Sequence, residues 1–479
     1  MRSSRHILTF STVAICAIMS VYTPQMRGAE VGNLKAGAAK VDITPSSEDL
    51  PEFIMVLNKR FTGIHDHIYA RAVVMDNGIN TVALVSLDLA EYGDPGPLQE
   101  RIQKELGIPV ANIIIGAIND HNAPRGGPII AGTSAAQGRP YSPPTYIQKV
   151  DDSIVEAVKK AKASLEPARV GIRAGHLDLN AQRYGFDASR NSWNTVSNSD
   201  DGVSDKTFWA VKLASLSGEP IAIVMDYSMH PIMGGQNSLL TGDLSGVAER
   251  FVEEQYNAKY KDDKTVALWM TGAGGDQSPK LNKWHEDMRD DPAASIALGY
   301  RLIEAEGLVF GSEALELSTE MSDMSGTVSL EANQISFTCA VPPKQAQQQG
   351  GGPGGPGGPG GGAGPGGPGG PMGNNLPNPI KVPIPMPTEK TIRLSLIAIN
   401  QIAIAGLNAE VYTDLYLDLR KASPLTDTIM DSLANGRIGY LAADQDYDTS
   451  YKSNEVARGC AEKGIVSGFV GMMNKHLFR

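Results

Sequence analysis

A run of β-branched residues that stops abruptly constrains this chain most. Ile113, Ile114 and Ile115 open the segment IIIGAINDHNAP at 113–124, which breaks off into Asn119, Asp120, His121 and Asn122. An apolar run of this kind reads as a strand buried on both faces, and the polar residues at its end read as a chemical site. Two more runs finish alike: IAIVMDYSMHP at 221–231 delivers His230, and TVALWMTGAGGDQSP at 265–279 delivers Asp276 and Ser278. Ligands of open α/β sheets gather outside the carboxyl ends of the strands, so these ends are expected to converge on one cleft.

Around these runs, strand and helix signals interleave. RAVVMDNGINTVALVSLDL reads as a hairpin about Asn77 and Gly78. PLQERIQKELG places Leu98, Ile102 and Leu106 on one helical face and stops at Gly107, and Ile147, Val150, Ile154, Val158, Ala161 and Leu165 recur at helical spacing in the next segment. Asp243 is the expected N-cap of a further helix. The fold class is therefore α/β, a mixed β-sheet core with flanking helices in a single large domain. Residues 341–387, built around GGPGGPGGPGGGAGPGGPGGP, cannot supply a packed core and are expected to form a disordered or extended surface insertion. Strand-like TVSLEANQISFTC before it and TIRLSLIAINQIAIAGLNAE after it predict that it interrupts one sheet-containing domain at a loop tip.

The first 29 residues are basic at the front, apolar from Ile7 to about Tyr22 and end in a small-residue RGA, the pattern of a cleaved signal peptide. The reading is a secreted or periplasmic protein, residues 30–479, with no integral membrane span after cleavage. The net charge of −11 grows more negative once Arg2, Arg5 and Arg27 are removed, which argues against nucleic acid as a partner. Cys339 and Cys460 then remain, and they permit one disulfide or serve equally well as two buried hydrophobes.

Histidine is scarce, eight in the chain, and His121 and His230 both fall at strand ends. Either alone could be a satisfied loop or core residue. Together with Glu410, which follows the apolar run QIAIAGLNA, they supply the imidazole and carboxylate that bind zinc and leave a position for water. Ser278 in GAGGDQSP is not in the GxSxG elbow of serine hydrolases, and a turn serine capping backbone amides is the simpler reading. His65 and His67 could line the same cleft or lie in a surface loop.

In order along the chain, KVDITP at 40–45, GIHDHIYARAVVMDNG at 63–78, VSLDL, HNAP, LNAQRYGFD at 179–187, MHP with LLTGD, GAGGDQSP, GLNAE and GYLAADQDYDTSY resemble the neutral and alkaline, non-lysosomal ceramidases. That resemblance implies a zinc amidase acting on a small amphiphilic N-acyl substrate such as N-acyl sphingosine. It implies His230, Glu410 and Tyr440 as metal ligands, Ser278 near the scissile amide, and Arg183 and, more approximately, Tyr451 as substrate contacts. The family's usual HTHSGP is NDHNAP here, so Asn119 stands in the position of a zinc histidine and His121 in that of the substrate-facing one. An amide oxygen is a poorer zinc ligand than imidazole and suits harder cations, which implies weaker zinc or another metal. With the sequence read to Arg479, the expectation is a catalytic region without the C-terminal immunoglobulin-like domain of well-known members. A lapsed ligand-binding protein of the same fold and a hydrolase of a different amide or ester are the alternatives.

Overall fold

The structure, a computed structural model, describes residues 30–50, 60–128, 142–187, 192–199 (as backbone), 202–234, 238–281, 291–342, 387–447 and 455–478. The expected leader, Tyr451 and residues 343–386 of the Gly/Pro insertion lie outside the described residues.

Eight strands form one mixed sheet in the spatial order Val266–Thr271, Pro220–Tyr227, Thr207–Ser215, Glu166–His176, Lys35–Asp42, Tyr69–Asp76, Thr81–Leu87, Ile113–Ala117. Its middle join is slight, two register pairs at Lys35↔Pro167 and Ala36↔Glu166. The sheet therefore creases into two four-stranded halves that fold toward each other. Ser86 Oγ donates to Trp269 O and Thr271 Oγ1 to Ile118 O, each at 2.6 Å, across the closing edges. A second sheet, of Val31–Asn33, Thr327–Ala340, Glu389–Ile399, Ile402–Leu407 and Asp427–Ser432, meets the first at the Gly116↔Ala434 bridge.

Inner faces of all three units share one apolar interior that includes Val73, Ile114, Val211, Leu268, Ile404 and Ile429. Each outer face is covered by a pair of helices. Helices α1 (Gly96–Leu106) and α2 (Pro144–Ala163) cover the half ending at Ile113–Ala117. The other half carries α3 (Asp243–Tyr260) and α4 (Pro292–Glu320). The five-stranded sheet carries α5 (Thr413–Ala422) and α6 (Ala461–Leu477). This double covering is why strands such as Ile113–Ala117 are buried at every position and read as unbroken apolar runs. Fully burying each Ile or Val stabilises by about 1.5–3 kcal/mol, so polar residues wait until the strand ends.

Local details refine the sequence reading. The hairpin connection spans 77–80, four residues closed by Asn77 Oδ1, which accepts from Ile79 N at 3.1 Å and Asn80 N at 2.9 Å. Gly107 ends α1 in the left-handed region at φ 71°, as expected. Asp243 is not the N-cap of α3: Gly242 holds that position, and Asp243 begins the helix at φ 53° with its carboxylate accepting from Met233 N, Gly234 N and Leu244 N. Its task is to tie the loop beyond His230 to the helix.

The insertion leaves and re-enters at a hairpin tip, where Ala340 pairs with Glu389 and Val341 N donates to Thr388 O at 2.8 Å. At this root Cys339 is disulfide-bonded to Cys460, just before α6, with Cα atoms 5.9 Å apart. Among the described residues no helix is long and apolar enough to cross a membrane.

Candidate active site

The strand ends do converge. Beyond Ile113–Ala117 the chain turns as Asp120 Oδ1 accepts from Asn122 N at 2.7 Å, and Asn119 takes φ 65°, a left-handed conformation that asparagine tolerates better than most residues. Asn119 Nδ2 then lies 3.2 Å from Glu410 Oε2. His230 Nε2 lies 3.1 Å from the same oxygen. Glu410 and Tyr440 are directly paired in a parallel ribbon, Glu410–Val411 with Tyr440–Leu441, and the Tyr440 hydroxyl donates to the Glu410 carboxylate. Three residues spread from 119 to 440 thus meet on the carboxylate of Glu410, which is 1 % exposed.

Close approach of the strand ends depends on Gly275. A Cβ there would sit 2.7 Å from Val411 O and 2.9 Å from Glu410 O, so a side chain would drive the two segments apart. Its neighbour Asp276 is a clamp: Oδ1 accepts from Thr413 N at 3.0 Å and Thr413 Oγ1 at 2.8 Å, Oδ2 from Gln182 Nε2 at 2.8 Å, and its carbonyl from Arg183 N at 2.7 Å. Ser278 is not in a turn; it is buried in the strand Gln277–Pro279, opposite Ala181. That register brings Arg183 into the site, with Nη1 3.3 and 3.5 Å from the two ring nitrogens of His230 and 3.5 Å from Gly275 O.

The electrostatics follow from burial and neighbours. Burial pushes the Tyr440 hydroxyl well above its ordinary value and Glu410 adds to this, which keeps it a neutral phenol able to donate. Burial works against the charge of Arg183, but Tyr440, Tyr184 and Glu410 outweigh it and lift its pKa. His230 Nδ1 faces Gly274 O at 2.5 Å, so that nitrogen carries a proton, and Nε2 is the ring nitrogen directed at Glu410. His121 meets His230 edge-on, ring centroids 5.8 Å apart. Tyr184, Tyr412, Tyr440 and Ala442 form an apolar wall beside them. His65 and His67 are engaged elsewhere, His65 with Asp66 and stacked on Tyr300, His67 with Asp42.

A family profile described as neutral/alkaline non-lysosomal ceramidase, N-terminal, matches residues 35–297. The chain belongs to that family. Neutral ceramidase A of Dictyostelium discoideum is 27 % identical over 230 residues, 45 % of this chain and 32 % of that protein, so the match spans about a third of the relative's length. Among solved structures, one described as ceramidase complexed with C2 aligns with a TM-score of 0.66 at 18 % identity, covering 93 % of this chain and 76 % of that one. The neutral ceramidase of Pseudomonas aeruginosa aligns with a TM-score of 0.65 at 17 % identity, covering 92 % and 75 %.

Within this ceramidase-family fold, among the described residues, no group of three or more His, Cys, Asp and Glu side chains is placed to hold a metal. His230 and Glu410 are a pair, and any fuller donor set draws on the Tyr440 phenol and the Asn119 amide. Sequence reasoning missed Arg437, whose Nη2 donates to Glu410 Oε1 at 2.6 Å, and behind it Glu91, which accepts from Arg437 Nη1. The only cue was a charged residue in the otherwise apolar and glycine-rich stretch ANGRIGYLAA.

Proposed function

We propose that this ceramidase-family chain is an exported, metal-dependent hydrolase that cleaves the amide of a small amphiphilic N-acyl compound, N-acyl sphingosine or a relative of it. The observation that carries this reading is the approach of His230 Nε2 to Glu410 Oε2 at 3.1 Å with no proton available from Nδ1, which already serves Gly274 O. With Nε2 unprotonated, its lone pair faces a carboxylate oxygen, an arrangement that a shared cation would satisfy. The donor chemistry fits zinc, with His230, Glu410 and Tyr440 as ligands and Asn119 completing the set once its amide is turned to present Oδ1. The metal would polarise the amide carbonyl and make a bound water more acidic.

The chain's own groups supply the rest. Arg183, half-buried beside His230, would donate to the oxyanion that develops on the carbonyl. His121, edge-on to His230, would carry a proton from the attacking water toward the leaving amine. By the family resemblance, Tyr451 would join the oxyanion contacts and Ser278 would lie near the scissile amide. The wall of Tyr184, Tyr412 and Tyr440 would exclude water and face the apolar part of the substrate. In this reading residues 1–29 are a leader and 30–479 one catalytic domain interrupted at 341–387.

One observation favours a second reading, a ligand-binding protein without catalysis: Arg437 already offers a cation to Glu410. Metal analysis of the purified chain, with hydrolysis of N-acyl sphingosine and a panel of other amides and esters, separates the two. Asn119→His should tighten zinc binding by roughly tenfold, because imidazole replaces an amide oxygen. Equal zinc affinity in parent and variant would remove Asn119 from the metal position. Tighter zinc without hydrolysis of any compound in the panel would favour the binding protein.

A further inference from the structure

Glu410 is gripped on both oxygens, and the second grip has a construction of its own. Oε2 faces the cleft residues His230 and Asn119, whereas Oε1 accepts from Arg437 Nη2 at 2.6 Å. Arg437 is held from behind, its Nη1 donating to Glu91 Oε2, and Glu91 Oε1 lies 3.4 Å from Arg125 Nε. Three of the four come from two short parallel ribbons, and Arg437 lies just before a strand of one of them. Glu91 is the register partner of Arg125, and Glu410 that of Tyr440, three residues after Arg437. Cation and anion alternate along Arg125, Glu91, Arg437 and Glu410, and the row ends at the His230 imidazole. All are largely withdrawn from water, with side chains 5 %, 8 %, 19 % and 1 % exposed.

We infer that Arg437, braced by Glu91, is a positioning residue for this site: by taking Oε1 it fixes the rotation of the Glu410 carboxylate and leaves Oε2 alone to serve the cleft. The terminal torsion of a glutamate is broad and two-fold, so burial alone does not choose which oxygen points where. A guanidinium fork can choose, because it binds two carboxylates in a fixed plane, which a lysine ammonium cannot do. Residues behind a metal ligand commonly set its orientation, and losing them typically costs about 10–100-fold in metal affinity. The inference rests on the metal reading above for what Glu410 does, and on geometry alone for how it is held.

The test uses the full chain stripped of metal by a chelator and titrated with zinc alone. Arg437→Met should weaken zinc binding by about tenfold or more, with Arg437→Lys between it and the parent, and Glu91→Gln should weaken it by about threefold though it does not reach the cleft. With cobalt(II) as probe, the visible absorption of Arg437→Met should weaken relative to the parent, as both oxygens of Glu410 become available and coordination rises above four. Unchanged zinc affinity and an unchanged cobalt spectrum in a folded Arg437→Met would overturn the positioning role while leaving the metal reading intact. If Arg437→Met does not fold, Glu91→Gln decides on the same two readings. Should the parent bind no zinc yet cleave an N-acyl amide, the metal reading fails and positioning is read from the rate. A kcat lowered about tenfold in Arg437→Met, with KM within about threefold and recovery on adding guanidinium ion, supports it. An unchanged kcat overturns it. A parent that neither binds zinc nor cleaves any compound overturns both.

Discussion

Asn119 and Asp120 are adjacent in sequence and face opposite electrostatic surroundings. Asn119 turns toward the row in which Glu410, Arg437, Glu91 and Arg125 alternate in sign. Asp120 turns toward acids. It is fully buried, its Oδ2 has no hydrogen-bond partner among the described residues, and burial, then Asp243, push its carboxyl well above the usual range. Asp243 is raised to about 6 by burial, against the pull of three backbone N–H groups, and Glu306 to about 8 by burial and Asp243. Among the described residues no Lys or Arg forms an ion pair with Asp120, Asp243 or Glu306. The comparison teaches that this fold hides carboxyl groups in two ways, by interleaving them with guanidinium groups or by burying them without a cation, where burial favours the protonated form. The two solutions should respond to mutation and pH in opposite senses.

The largest expected effect is on the interleaved side. Glu410→Gln should lower N-acyl hydrolysis by about a hundredfold or more, since it removes the carboxylate on which the site converges; a rate within a few-fold of the parent would break the assignment of this row to chemistry. Next, Arg437→Met should reduce unfolding free energy by about 3 kcal/mol in urea titrations, because breaking a buried pair strands its partners, here Glu410 and Glu91. Asp120→Asn should instead be neutral or stabilising at pH 8, by up to about 1 kcal/mol, since no cation is abandoned. If both variants lose stability equally, the contrast is void.

The pH dependence sharpens it further. Below the ordinary carboxyl range both folded and unfolded chains keep the Glu306 proton. As pH rises the unfolded chain releases it first, so this group's contribution falls from about pH 4.5 until the folded value near 8 is passed. Glu306→Gln should flatten that decline, by about 4 kcal/mol between pH 5 and pH 8.5, as read from urea midpoints at the two ends. A parent whose stability is level over this interval would show that the acids are not holding their protons. The smallest effect belongs to a region outside both clusters. Replacing 345–380 with a short linker should move the melting midpoint by less than about 2 °C, because that composition buries almost no apolar area and loop length enters closure entropy only logarithmically.

Much of the site was legible because its principal residues sit at the ends of strands buried on both faces, and that burial writes itself into sequence as uninterrupted apolar runs. His230, Asn119 and Glu410 stand out for this reason. The family resemblance carried Tyr440 and Arg183, which no local pattern marks. Arg437 and Glu91 were not legible: they are 346 residues apart, Glu91 sits in a two-residue strand too short to have a period, and Arg437 lies in irregular chain just before another. Asp243 misled for a related reason, since a polar residue at a helix start looks like a cap whether its carboxylate serves the helix or a loop ten residues earlier.

Cys339 precedes the Gly/Pro insertion and Cys460 follows it. A protease cut anywhere in 343–386 would therefore yield two polypeptides that remain one molecule, the first bearing Asn119, Arg183 and His230 and the second Glu410, Arg437 and Tyr440. On a denaturing gel such a nicked protein would run as a single species until a thiol reductant is added, and then as two. The covalent continuity that keeps the two halves of the site in the same particle does not have to pass along the peptide backbone.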